Sequence, residues 1–152
     1  MNTTTGIEVL EGLIDAVNRH DLDGLVGQFA DDVRSDTPAH PARSFVGSDQ
    51  VRRNWTQILS SIADLEAQLV ATTISHHAGG TMTEWAEMAF DGHRPDGAPW
   101  RMRGVTVNEI AGDRIVALRF YLEPVDDSMV SPDVAVRAIT TGSSPVAGGI
   151  AR

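Results

Sequence analysis

The chain has no cysteine among its 152 residues. Disulfides, thiolate metal ligands and cysteine nucleophiles are thereby excluded, and the redox compartment is not legible from cysteine usage. Basic side chains are scarce, 12 Lys+Arg against 21 Asp+Glu for a net charge of -9. That balance opposes binding to phosphate backbones or anionic membranes, so neither nucleic acid nor a membrane is an expected partner. No apolar run approaches the roughly 20 residues of a membrane span, and the opening Met-Asn-Thr-Thr-Thr lacks the basic and apolar regions of a signal peptide. A cytoplasmic location is the expectation. Phosphate-cradling glycine loops, dinucleotide fingerprints and nucleophile triads are also missing. His76-His77 has neither helical spacing nor a third ligand, so no metal and no cofactor is expected.

What is present divides into helices first and strands afterwards. Thr5 and Glu8 have capping-box spacing, and Ile7, Leu10, Leu13, Ile14 and Val17 recur on one helical face. Asp21 is placed to cap a second helix with the stripe Leu22, Leu25, Val26 and Phe29. Val33 to Thr37 reads as a short strand ended by Pro38 and Pro41. Ser48 is placed to cap a third helix on which Val51, Trp55, Ile58, Leu59 and Ile62 share a face. From Leu65 the period becomes two, giving strands over Leu65–His76, Met82–Phe90, Trp100–Ile110 and Ile115–Glu123, separated by Gly-containing turns. This order predicts an α+β fold, three N-terminal helices on a curved, mainly antiparallel sheet. One pocket domain is expected over 5–125. The Ser/Gly/Pro/Ala-rich stretch 126–152 reads as a tail, with one short element near Val134–Ile139.

The segments Asn18-Arg19-His20-Asp21-Leu22-Asp23-Gly24-Leu25 and Phe29-Ala30-Asp31-Asp32-Val33, then Gly47 and the last strand Arg119-Phe120-Tyr121-Leu122-Glu123-Pro124, carry a resemblance. Together they resemble the nuclear transport factor 2-like superfamily, in particular its SnoaL-like branch of polyketide cyclases, ketosteroid isomerases and limonene-epoxide hydrolases. The resemblance covers roughly Ile7 to Pro124 and implies a cone-shaped α+β barrel, a pocket between sheet and helices, and a homodimer formed through the sheet. It also implies where relatives keep their chemistry. The isomerases' phenol donor falls near Leu13, their base near Thr37 and their second acid near Thr106. The last-strand acid of cyclases and hydrolases falls at Phe120, and the hydrolases' arginine and aspartate fall near Met102 and Gly104. None of these residues can serve in that role.

Three other groups are the candidates for proton transfer: Asp36, beside the isomerase base position if a bulge turns it inward; His40 on the following loop; and Glu84, alone on an apolar strand face. Each has a plain alternative, as a strand-end aspartate, a rim histidine, and a partner for Arg101 or Arg103. Arg43, Arg52 and Arg53 are candidates to attract an anion at the pocket mouth, or are simply solvated. Leu13, Phe29, Trp55, Ile58, Met102, Thr106, Phe120 and Leu122 are the expected substrate-binding walls. Trp85 and Tyr121, on the opposite strand faces, are expected in a homodimer contact. The leading expectation is cofactor-free acid/base chemistry (isomerisation, cyclisation or hydration) on a mainly apolar small molecule. The alternative is a non-catalytic ligand-binding or dimerisation module.

Overall fold

The computed structural model describes residues 6–143. Three helices, α1 (Gly6–Asn18), α2 (Leu22–Val26) and α3 (Ser48–Ser61), precede the long strands of a six-stranded sheet. Its strands are β1 (Phe29–Asp36), β2 (Phe45–Val46), β3 (Glu66–His76), β4 (Met82–His93), β5 (Pro99–Ala111) and β6 (Arg114–Pro124), in the order β2-β1-β6-β5-β4-β3. Only β1 and β6 pair in parallel; the other neighbours are antiparallel. The result is the expected α+β cone, with the helices over its inner face.

Local chemistry explains most of these elements. α1 buries Val9, Leu10, Leu13, Ala16 and Val17, whereas the expected Ile7 is exposed. Thr5, the proposed capping residue, lies outside the described residues. Asn18 fastens the other end of α1 to β3: its side chain donates to Ala67 O (3.0 Å) and accepts from Ala67 N (2.7 Å). Asp21 caps α2, its Oδ1 accepting from Gly24 N at 2.9 Å. Ser48 does not cap α3. The cap residue is Gly47 at φ +105, which Ser48 could not adopt without strain, and the serine is the first helical residue. β1 begins four residues earlier than expected, and the two-residue β2 and the 3-10 turn Pro41–Arg43 were too short to carry a periodic signal. A fourth helix, α4 (Pro132–Thr141), covers the element expected near Val134–Ile139; it buries nothing and leaves Val134, Val136 and Ile139 exposed.

Period two along the strands sorts side chains into two faces. Met82, Glu84, Ala86, Met88 and Phe90 of β4 point inward with Leu118, Phe120 and Leu122 of β6. Trp85, Glu87, Arg119 and Tyr121 point outward, where the Arg119 guanidinium lies 6.0 Å from the Trp85 ring centroid. Trp85 and Tyr121 remain 47 % and 41 % exposed.

Candidate functional site

Between α3 and the inner sheet face lies an open cavity of about 280 Å3. α1 supplies Leu13 and Val17 to its wall, β1 supplies Phe29, Ser35 and Thr37, and α3 supplies Asn54, Trp55 and Ile58. The far wall is Trp100, Met102, Thr106 and Asn108 of β5 with Leu118, Phe120 and Leu122 of β6. Trp55 faces Phe90 across the space, with ring centroids 6.0 Å apart and planes inclined at 53°. All eight side chains expected as walls, Leu13, Phe29, Trp55, Ile58, Met102, Thr106, Phe120 and Leu122, therefore border one cavity. Sequence reasoning passed over Ser35, Asn54, Trp100 and Asn108. Alternation alone placed Ser35 with Thr37 and Asn108 with Thr106, and was a usable signal.

Two polar groups of the wall, Thr106 and Asn108, are neutral and engaged with each other. Asn108 Nδ2 donates to Thr106 Oγ1 at 3.0 Å, and that hydroxyl donates to Met88 Sδ at 3.6 Å. Both residues are buried. They offer a ligand hydroxyl or carbonyl a hydrogen bond, but no proton at neutral pH. Arg43 is, among the described residues, the one ionisable side chain on the wall.

The three proton-transfer candidates are elsewhere. Asp36 does not turn inward: Ser35 and Thr37 are buried on either side of it, and its carboxylate meets Arg34 Nε at 3.4 Å on the outer side. The irregularity in β1 falls upstream, between Phe29 and Arg34, so alternation holds at Asp36. His40 Nε2 is 2.9 Å from Glu123 Oε1, a contact that ties the loop after β1 to the end of β6. Glu84 does point inward, yet it is sealed beneath α1 and does not line the cavity. Its Oε1 accepts from Thr72 Oγ1 at 2.6 Å, and its Oε2 is buried with no hydrogen-bond partner among the described residues. Burial pushes this carboxyl above the usual range; the Thr72 bond acts downward, and the nearby charge of Glu11 adds to the rise. The expected arginine partner is absent, because Arg103 pairs with Asp91 (2.9 Å) and Arg101 with Asp127.

The positions at which the family resemblance set relatives' chemistry lie as follows. Leu13, Thr37, Met102, Thr106 and Phe120 all border the cavity, and each carries a side chain that does not ionise. At Gly104 no side chain fits: with φ at +153, a Cβ there would stand 2.2 Å from Tyr121 O. The chain also has no lysine, which removes imine chemistry on a lysine amine. Among the described residues no group of three or more His, Asp or Glu side chains converges as a metal site, and no helix is long and apolar enough to cross a membrane.

Solved structures share the fold at low identity. A Novosphingobium aromaticivorans protein provisionally described as an aromatic ring hydroxylase is 17% identical, with TM-score 0.67 over 78% of this chain and 90% of that one. A Catenulispora acidiphila protein with a ketosteroid isomerase-like fold, in complex with trimethylamine, is 19% identical, with TM-score 0.60 over 78% and 87%. A Mycobacterium tuberculosis protein in complex with estradiol-17beta-hemisuccinate is 17% identical, with TM-score 0.63 over 76% and 91%. Curated proteins give no match. The family model for the SnoaL-like domain matches residues 10–118, well over half of the sequence, and the chain belongs to that family.

Proposed function

We propose that this SnoaL-like chain is a binding protein for a mainly apolar small molecule, held in the cavity beneath α3. The observation that carries the reading is the wall itself: an open, aromatic-rich cavity whose interior polar groups, Ser35, Thr37, Thr106 and Asn108, are all neutral. Apolar lining with a few convergent polar groups is the usual form of a small-molecule site. The relative that holds a steroid hemisuccinate in the same fold supports a similar occupant. In this reading His40 is a loop anchor, Asp36 a surface ion-pair member, and Glu84 a buried structural acid. The exposed Trp85 and Tyr121 support a homodimer through the outer sheet face.

A second reading, acid catalysis, has one supporting observation. Glu84 is a buried carboxyl with an unpartnered oxygen, and it stands directly across the β4–β5 register from Asn108, which does line the cavity. Both readings are tested by thermal unfolding and tryptophan fluorescence of the Trp85→Phe variant, which leaves Trp55 and Trp100 as reporters, against a panel of apolar ring compounds. A ligand at 100 times its dissociation constant stabilises the folded state by about 2.7 kcal/mol. A raised Tm and shifted emission, both lost in Leu118→Arg, are the expected result. Absence of any shift across the panel overturns the binding reading, and turnover of a bound compound that Glu84→Gln abolishes replaces it with the catalytic one.

A further inference from the structure

We propose that Arg43 makes the cavity selective for amphipathic anions, molecules with an apolar body and a single carboxylate or equivalent oxyanion at one end. The inference rests on the cavity being a ligand site and adds the chemical class of the ligand. Arg43 lines the cavity and is also exposed, which places it where the cavity opens to solvent. Among the described residues no carboxylate lines the cavity beside it.

Among the described residues its guanidinium is unengaged, a state it shares with Arg137 of α4, which does not line the cavity. Every other arginine from Arg19 to Arg119 is occupied: Arg19, Arg34, Arg52, Arg94, Arg101, Arg103 and Arg114 by carboxylates, Arg53 by Gln50, and Arg119 by the Trp85 ring. Of the three arginines near the mouth, Arg52 is thus spent on Asp23 and Arg53 on Gln50, while Arg43 makes neither an ion pair nor a side-chain hydrogen bond among the described residues. In a chain of net charge -9, a cation left without a carboxylate at the edge of an apolar cavity is a local exception to the long-range field.

The backbone that carries Arg43 is held in place from several sides. Arg43 N donates to His40 O (2.9 Å), Ser44 N to Pro41 O (3.1 Å), and Thr37 N to Ser44 Oγ (3.0 Å), while His40 is fastened to Glu123. The arginine therefore projects from a fixed turn. Asn54 supplies a second donor to the wall, because its Oδ1 is taken by Gln50 Nε2 (2.8 Å) and its Nδ2 has no acceptor among the described residues. Deeper groups, from Thr37 to Asn108, are neutral and cannot offset a buried charge, so an anionic head stays at the mouth and the apolar body goes in. A planar guanidinium suits a carboxylate, which it binds through two parallel hydrogen bonds.

The test compares 2-naphthoate with its neutral isostere 2-acetylnaphthalene by isothermal titration calorimetry on the full chain, in wild type, Arg43→Gln and Arg43→Lys. A charge-assisted contact corresponds to a preference of roughly tenfold or more for the acid. That preference is expected in wild type, reduced in Arg43→Lys, collapsed in Arg43→Gln, and weakened by added salt. Equal affinities in wild type, or a preference that survives Arg43→Gln, overturns the Arg43 assignment and leaves the cavity reading standing. Binding of neither compound overturns both. Far-UV circular dichroism of the variants separates lost binding from lost folding, and the lysine variant keeps the charge if the glutamine variant fails to fold.

Discussion

At one end of the inner sheet face α1 lies directly on β3 and β4 and seals Glu84; at the other, α3 leans on β1 and α2 and leaves a cavity. Both ends are built from the same alternating strands. At the sealed end a carboxyl is tolerated because burial shifts it toward its neutral form and Thr72 satisfies one oxygen. At the open end, where a ligand could reach an acid or base, the inward positions hold Thr106, Phe120 and Met102 instead. Ionisable chemistry and access are thus separated within one face, and the helix overhead decides which end has which.

The largest way to break this contrast is to cut the seal. Leu10 is fully buried in α1, and Leu10→Ala should cost about 2–5 kcal/mol in denaturant unfolding. A cost below 1 kcal/mol would mean that α1 does not close that end. Gly104→Ala should be comparably damaging, since a Cβ there meets the Tyr121 and Leu122 backbone.

Glu84→Gln sharpens the comparison through pH. The folded carboxyl holds its proton more tightly than the unfolded one, so the folded state binds more protons from the ordinary glutamate value up to the raised one. Wild-type stability must fall as pH rises through that window, and the loss is complete above the folded value. Glutamine does not titrate. The unfolding free energy of Glu84→Gln relative to wild type should therefore climb with pH, by at most about 1.4 kcal/mol per pH unit within the window. A constant offset from pH 4 to 9 would place Glu84 in contact with water.

Smaller effects belong to the open end. Phe120→Ala borders existing space and should cost less stability than Leu10→Ala, while weakening an apolar ligand roughly tenfold. Asp36→Asn should be the mildest, within about 0.5 kcal/mol in stability and about twofold in affinity, because it disturbs only a surface pair with Arg34.

The sequence carried the faces of this fold well and its ends poorly. Period two put Tyr121 on the face opposite Phe120 and Leu122, and Trp85 opposite Glu84, because side-chain direction follows from local backbone geometry; the family resemblance said which face of the last strand meets the pocket. Thr37 and Thr106 were legible as cavity positions through the family resemblance. Asp36 failed by one residue: without a bulge at that point, alternation sends it to the other face. Glu84 was rightly read as inward, but whether α1 or the cavity lies above it depends on how a distant helix docks, through contacts such as Asn18 with Ala67. His40 and Glu123 are 83 residues apart, and nothing local announces their pairing. Arg43 could be separated from Arg52 and Arg53 only once Asp23 and Gln50 were seen to occupy the other two.

The separation of access from ionisable side chains is tested most directly by titrating 2-acetylnaphthalene into the protein from pH 5 to 9, in buffers of different ionisation enthalpy. With Asp36, His40 and Glu84 all off the wall, affinity should be flat across that range and binding should take up or release no protons. A sigmoidal or bell-shaped dependence with accompanying proton uptake would put a carboxyl or histidine against the ligand and contradict the account.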